Sequence, residues 1–352
     1  MKKHFFKNID FSFVSGFFIE TANNFTQFRV YGSDENISNN WQNINLNQRV
    51  STYEKLGSTI IGMNLKFNIP VNYRHFKIEY TGNDILEEHI QPYEFILKSH
   101  DETLNLLKNK TVAFLGLARN CEKSLQKVVQ NLKKLGDLFL NYEIYILEND
   151  STDSTRKVIS DISKQGKLIP VFLDKLDLIF PKRTARLAFC RNSLLNLTME
   201  KKFDYVICFD SDGVFNEIDL NSFISVFYKD SVWDAVFPSS YPYYALWAFR
   251  HSTLLNCDFT KLISRLPAII GTENNHKISA DPISNFDFSK FSGWLSVESA
   301  FGGLGIYKSS IYFQSSYWGF DGDEEVCEHV FFHKKMLNLG ARLYIAPEFK
   351  LS

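Results

Sequence analysis

Asp204-Tyr205-Val206-Ile207-Cys208-Phe209-Asp210-Ser211-Asp212-Gly213 is the stretch on which the fold and the chemistry turn. Tyr205 to Phe209 is a β-branched and aromatic run with the length of a buried strand, and the stretch stops at a glycine. Side chains alternate along a strand, so Asp210 and Asp212 point the same way where the chain leaves the sheet. Two carboxylates so placed repel each other unless a cation lies between them. A hard divalent ion that also touches a diphosphate supplies that charge and takes oxygen ligands. A solvated Asp210 before an Asp212-Gly213 turn explains the same residues, so the motif needs support from its neighbours.

Upstream, from Thr111, strands and helices alternate. Val112–Leu117 reads as a buried strand. The helix that follows, Cys121–Leu135, puts Leu125, Val128, Val129, Leu132 and Leu135 on one face and ends at Gly136. A strand over Glu143–Leu147, the polar loop Glu148–Thr155, a further helix and a strand over Leu168–Leu173 come next. A helix over Thr184–Leu197 then leads into the strand before Asp210. Such repeats predict an α/β fold, a mostly parallel sheet flanked by helices. Ligands sit at the carboxyl ends of strands in these sheets, where Ala118-Arg119-Asn120, Glu148–Thr155 and Asp210–Gly213 converge. Glu148 and Asn149 can hydrogen-bond a base or a ribose, while Asp153 and Thr155 suit helix capping. Arg191, with Asn192 beside it, and Arg119 offer forks for phosphate, though each reads equally as a surface arginine.

Residues 1–105 have another character. Short apolar-aromatic runs at Phe11–Ile19, Thr26–Tyr31, Thr59–Met63 and Phe76–Tyr80 are separated by polar turns, which predicts a β-rich accessory domain. Tyr31, Trp41 and Tyr53 can stack on sugar rings, but large aromatics in β-domains mainly serve burial. Asp101–Lys110 reads as a short helix and linker. The domains expected are therefore 1–105 and 106–352.

A chain of 352 residues with a formal net charge of −1 has length for two cores and no excess charge for a polyanion. No basic block suggests nucleic-acid binding. Met1–Lys7 has a basic opening, but Asn8, Asp10 and Ser12 interrupt the apolar stretch behind it, and no segment is long enough to cross a bilayer. Five dispersed cysteines without paired spacing read as reduced thiols, which sets the expectation of a soluble cytoplasmic protein.

The loop Glu148–Thr155 resembles the D-D-x-S-T-D-x-T loop of nucleotide-sugar glycosyltransferases with the GT-A fold, and Arg191-Asn192 resembles the A-R-N that precedes their D-x-D. More narrowly, Gly116–Asn120, Glu148–Asp153, Arg191-Asn192, Trp247-Ala-Phe-Arg250, Phe301-Gly-Gly303, Ile306-Tyr-Lys308 and Cys327-Glu-His-Val330 are similar to the cryptococcal α-1,3-mannosyltransferase and capsule-associated protein family. The similarity runs from about Thr111 to Pro347 and leaves the N-terminal third unmatched. It implies a GT-A, Rossmann-like domain that moves a hexose, of mannosyl type, from a nucleotide-diphosphate sugar to a glycan or glycolipid acceptor, with retention. Capsule or cell-surface polysaccharide is the product class implied, with peripheral membrane association left open. On this resemblance Mn²⁺ or Mg²⁺ is held by Asp210 and Asp212, and His329 makes a further metal or phosphate contact. Arg119, Glu148, Asn149, Arg191 and Asn192 bind the nucleotide, and Glu328 acts with Asp212 in catalysis by positioning the acceptor hydroxyl.

Downstream, Ser299–Lys308 reads as a glycine-rich approach to a strand. Asp323, Glu324 and Glu325 read as the first turn of a helix ending at Gly340. His329 and His333 have the i,i+4 spacing of a transition-metal pair without a third ligand nearby. Two other functions remain in view. Phe209–Val214 fits the D-x-D-G-V of haloacid-dehalogenase-type phosphatases, with Asp210 as nucleophile and Asp212 as general acid. That motif ordinarily follows the first strand of its domain, whereas several β-α units precede it here. A non-catalytic carbohydrate-binding protein is supported only by the β-rich N-terminus.

Overall fold

The computed structural model describes eight strands within residues 1–97. From residue 98 to 351 it describes every residue except 213–216, 240–242, 244, 253, 263–286 and 289–293. Gly213 and the side chains of Tyr31, Trp41 and Tyr53 thus lie outside the described residues. The chain divides into two compact units, Met1–Leu97 and Lys98–Ser352.

The first unit holds β1 (Lys2–Phe6), β2 (Val14–Thr21), β3 (Gln27–Ser33), β4 (Gln42–Ile44), β5 (Leu46–Lys55), β6 (Ser58–Val71), β7 (His75–Thr81) and β8 (Ile90–Glu94). Among the described residues they form two antiparallel sheets, ordered β1-β7-β3-β4 and β5-β6-β2-β8. The longest pairing among the described residues joins β5 to β6, from Leu46↔Phe67 to Lys55↔Ser58.

The second unit begins with α1 (His100–Leu107). Ser99 Oγ accepts from Glu102 N and Glu102 Oε2 from Ser99 N, a reciprocal cap that starts the helix. Alternating elements follow: β9 (Thr111–Ala118), α2 (Leu125–Gly136), β10 (Asn141–Asn149), α3 (Thr155–Ser163), β11 (Leu168–Leu173), α4 (Leu176–Ile179), α5 (Arg183–Thr198) and β12 (Tyr205–Asp210). Then come α6 (Leu220–Val226), β13 (Ala235–Pro238), β14 (Leu295–Ser296), β15 (Leu304–Lys308) and α7 (Ser309–Tyr312). A small hairpin of β16 (Phe320–Asp321) and β17 (Glu324–Glu325), α8 (Glu328–Asn338) and β18 (Leu343–Ala346) complete the unit. Among the described residues the sheet runs β11-β10-β9-β12-β15-β13-β18-β14. β9 to β12 are mutually parallel, and β15 enters antiparallel between β12 and β13.

The helix read from Asp323 starts later than expected. Gly322, at φ +59°, turns β16 into β17, so Glu324 and Glu325 pair with Phe320 and Asp321 in a hairpin and Glu328 opens α8. No described helix is long and apolar enough to cross a membrane.

The order β11-β10-β9-β12 places the first strand of the unit beside the fourth, with the crossover running the other way, so a crevice forms at their carboxyl ends. Both strands are nearly fully buried, as their unbroken apolar runs require. At their opposite ends Asp204 ties them together, receiving Lys110 Nζ at 2.8 Å and Thr111 N at 2.9 Å. Near the crevice Gly116 stands opposite Phe209 in the ladder. A Cβ on Gly116 would lie 2.2 Å from Phe209 Cζ, so the buried ring occupies the space that the glycine leaves.

Gly116→Ala is therefore expected to destabilise the protein by about 1–3 kcal/mol, the usual range for overpacking. Chemical denaturation measures it. Phe209→Leu should be less harmful in the Gly116→Ala background than in the unaltered chain, and strict additivity of the two changes would mean that they do not share this space.

Candidate active site

A cavity of about 530 Å³ opens at the carboxyl ends of β9 and β12. Leu117, Ala118, Arg119 and Cys121 reach it from the β9 end, Asn149 from β10, and Asp210, Ser211 and Asp212 from β12. Arg183, Arg186, Leu187 and Arg191 line it from α5, and Phe301, Cys327, Glu328 and His329 from the far half of the sheet. Ala245, Trp247 and Ala248 form the remaining wall.

Arg191 is the centre of this arrangement. Its buried guanidinium donates from Nε to Glu328 Oε1 at 2.8 Å and lies 3.5 Å, through Nη2, from Asp210 Oδ1. It also sits over the rings of Phe301 and Tyr317, 5.1 and 5.8 Å from their centroids. Burial opposes its charge, but Glu328, Tyr317 and Asp210 hold its pKa well above the ordinary value. The phosphate fork expected from the sequence is thus largely engaged within the protein. Asn192 turns away from the cavity to bridge Tyr317, donating to its carbonyl at 3.0 Å and accepting from its N–H at 2.8 Å.

The loops after β9 and β10 are locked together. Asn120, at φ +54°, donates its N–H to Ser151 Oγ, and its side chain accepts from Thr152 N at 2.8 Å. Asp153 Oδ2 takes Glu122 N, and Thr155 Oγ1 takes Cys121 N. Glu148, read as a contact to the nucleoside, is fully buried under this loop. It accepts Arg156 Nε at 2.6 Å and Ser151 N at 2.8 Å and does not line the cavity. Asn149 does line it. Arg119 also reaches the cavity, but both its terminal nitrogens donate to Asp177, at 2.8 and 2.5 Å.

Two arginines that the sequence reading passed over complete the cationic wall. Arg186 shares Asp177 at 3.1 Å and donates to the carbonyls of Phe180 and Pro181. Arg183, exposed on the first turn of α5, has no ion pair among the described residues. The signal was the Lys182-Arg183-Thr184-Ala185-Arg186 start of a helix that faces the strand ends.

Across the cavity, Phe301 is presented by Gly302 and Gly303, at φ +69° and +86°, a conformation that L side chains rarely adopt. The carbonyl of Gly303 receives Asp210 N at 3.0 Å, which fixes the start of the carboxylate loop. His329 stacks on Phe301 at 4.0 Å, and its Nε2 lies 3.6 Å from Glu328 Oε1. Neither ring nitrogen of His329 has a hydrogen-bond partner among the described residues, although the residue is buried. Burial, then Arg191 and His333, hold its pKa well below the usual range, so the imidazole is neutral. His333, its i+4 neighbour, is saturated instead by Ser299 Oγ at 2.9 Å and Tyr307 Oη at 3.0 Å. It is a core residue, not a partner ligand.

Asp212 is exposed without a hydrogen bond among the described residues, and Ser211 Oγ is buried and unpartnered. Among the described residues no three His, Cys, Asp or Glu side chains form a ready-made metal cluster. The donors present, two carboxylates and an orphaned neutral imidazole on one cavity, fit a cation that shares its coordination with a ligand's phosphates. All five cysteines are free thiols, and burial pushes Cys121 up to about 11, which keeps it protonated.

The sheet order and the carboxylates at the end of β12 define an α/β unit of the Rossmann-like GT-A type. The family model described as glycosyl transferase family 2 matches residues 117–277, which starts at the cavity end of β9 and covers less than half of the chain. No curated protein sequence matches the chain. Among solved structures, TarS residues 1–349 of S. aureus is 14% identical, with a TM-score of 0.38 over 68% of this chain and 59% of that one. A Pyrobaculum calidifontis mannosyltransferase, in complex with GDP-Man and Mn²⁺, is 13% identical with a TM-score of 0.43 over 72% and 64%. Glucosyl-3-phosphoglycerate synthase of Mycobacterium tuberculosis, with Mn²⁺, UDP and phosphoglyceric acid, is 13% identical with a TM-score of 0.37 over 72% and 73%. The chain thus spans less than two thirds of the first two of these proteins.

Two outcomes are expected from this geometry. Arg191→Met should lower stability by about 3–5 kcal/mol, because Glu328 is left buried without its counter-charge. Adding Glu328→Gln should recover part of that loss in a denaturation cycle, and no recovery would mean that the pair is not coupled. The second outcome concerns pH. His333 has its pKa lowered to about 3, chiefly by burial and then by Arg191, whereas the unfolded chain binds that proton near pH 6.5. The unfolded state therefore holds the extra proton between these values, so stability falls as pH drops below about 6.5, by about 1.4 kcal/mol per unit for this group. Above that pH the contribution is flat. Unfolding free energies between pH 4 and 8 would show it, and His333→Gln should reduce the slope below pH 6.5 by about one proton.

Proposed function

We propose that this protein is a metal-dependent glycosyltransferase that moves a sugar from a nucleotide-diphosphate sugar to a glycan or glycolipid acceptor. The observation that carries this reading is one cavity, at the carboxyl ends of β9 and β12, which gathers Asp210, Asp212, the unpartnered His329 and an arginine wall. Asp210, Asp212 and His329 would hold Mn²⁺ or Mg²⁺. Such an ion supplies charge neutralisation for the departing nucleoside diphosphate. Arg183, with Arg119 and Arg186 behind it, offers the oxyanions a guanidinium, and Asn149 faces the nucleoside side. Glu328, anchored through Oε1 on Arg191, keeps Oε2 for an acceptor hydroxyl. Trp247, whose Nε1 is held by Asp258 at 3.1 Å, presents a fixed indole to the acceptor.

The family-model match over 117–277 supports the reaction class. We further propose a hexose donor of mannosyl type and transfer with retention, following the narrower sequence resemblance, with a capsule or cell-surface polysaccharide as the product class. The phosphatase alternative finds less support, since β12 is the fourth strand of its unit and not the first.

Asp212→Asn is expected to weaken Mn²⁺-dependent binding of GDP or UDP at least about tenfold, the worth of a lost charge-assisted ligand. The melting temperature without ligand should stay unchanged. Calorimetric titration with and without Mn²⁺ measures this, and undiminished turnover by the variant would sink the metal assignment. A phosphatase would instead accumulate an aspartyl-phosphate on Asp210.

A further inference from the structure

Beside the cavity, the segment Lys175-Leu176-Asp177-Leu178-Ile179-Phe180-Pro181-Lys182-Arg183 is built to hold an apolar tip outward. Asp150, at φ +51°, caps it from behind, its carboxylate accepting Lys175 N at 2.6 Å and Leu176 N at 2.9 Å. Leu176 is buried and anchors α4 to the core. Leu178 and Ile179, on the same short helix, are 77% and 63% exposed. Phe180 packs on the partly exposed Phe189 of α5, with ring centroids 4.8 Å apart, and Arg186 clamps the carbonyls of Phe180 and Pro181. This is a rigid display of aliphatic side chains, which a protein surface rarely maintains for water alone.

Within the segment the charge is mostly basic, and the exposed acids beside it lie on the neighbouring hairpin. Asp177 is neutralised by Arg119 and Arg186, and Asp174 is paired with Arg156. Lys175 and Arg183 have no carboxylate partner among the described residues. Lys182 Nζ donates only to the Asp323 carbonyl and lies over the Phe320 ring. Trp318, 58% exposed, stands edge-on to that same ring. The exposed acids Asp321 and Asp323 belong to the hairpin, so the basic face is the Lys175–Arg183 segment itself.

We propose that Lys175–Arg183 is a membrane-docking segment, which lays Leu178 and Ile179 into an anionic lipid bilayer while Lys175, Lys182 and Arg183 meet its headgroups. Aliphatic tips flanked by basic residues are what an interfacial anchor needs. Because Arg183 and Arg186 also line the cavity, docking brings the cavity mouth to the lipid surface. The acceptor is then a glycan carried on a lipid, a step that rests on the transferase reading, whereas the docking itself does not.

Co-sedimentation of the full chain with phosphatidylcholine vesicles, with and without about one third phosphatidylglycerol, tests this surface. The chain should bind the anionic vesicles and not the neutral ones, and binding should fall with added salt. Leu178→Ser with Ile179→Ser should weaken it about tenfold or more, and Lys182→Glu should weaken it without touching the apolar tip. GDP or UDP binding with Mn²⁺ in solution should be unchanged in these variants, which separates failure of the docking surface from failure of the transferase reading. Absence of vesicle binding would overturn the proposal, as would binding that ignores the substitutions. A dimer that the double variant converts to monomer would assign the tip to a second copy of the chain instead.

Discussion

The guanidinium of Arg191 is the interaction on which the site depends. It joins Asp210, at the end of β12, to Glu328, at the start of α8, across the two halves of the sheet. A buried ion pair is weak evidence of stability by itself, since desolvation offsets most of its Coulomb energy. Its value here is positional. The cation lets two carboxylates share one cavity with less mutual repulsion. Phe301 adds a face to the cation on one side and stacks on His329 at 4.0 Å, so the same ring ties the imidazole to the arrangement.

The parallel core of the second unit was legible because fully buried strands leave unbroken apolar runs. Val112–Leu117, Glu143–Leu147 and Leu168–Leu173 each fall inside β9, β10 and β11. The N-terminal unit was legible only in part. β5, Leu46-Asn-Gln-Arg-Val-Ser-Thr-Tyr-Glu-Lys55, sits at a sheet edge and is mostly polar, so Leu46, Val50 and Tyr53 leave no period of two to read. The acids of Asp323–Glu325 misled for a different reason. Acids before an amphipathic run suit a helix start, but Gly322 in the left-handed region favours a hairpin first.

At the site, residue types were readable and their engagements were not. Asp210, Asp212, Asn149, Arg119, Arg191, Glu328 and His329 all meet at one cavity. Glu148 and Asn192 do not, because Arg156 on the next helix and Tyr317, far along the chain, claim them. No local pattern announces that a carboxylate at a strand end is bound from below by an arginine on the next helix. The same blindness hid Arg183 and Arg186, whose importance follows only from what Asp177 and the α5 start do in space.

These engagements redistribute roles in a consistent way. An arginine held by two carboxylates is a poor phosphate ligand, because phosphate must then displace charge-assisted bonds already made in a dry site. The 3.5 Å contact to Asp210 is the longer of the two that Arg191 makes with carboxylates. Glu328, bonded through Oε1 at 2.8 Å, is the closer counter-charge of Arg191. Among the described residues, the hydrogen-bond partner of the other Glu328 oxygen is the Cys327 thiol, 3.9 Å away. On the proposed reading, oxyanions would be met at the α5 start, where Arg183 has no ion pair among the described residues and Arg186 is shared with Asp177, so that the Arg191–Glu328 pair need not break.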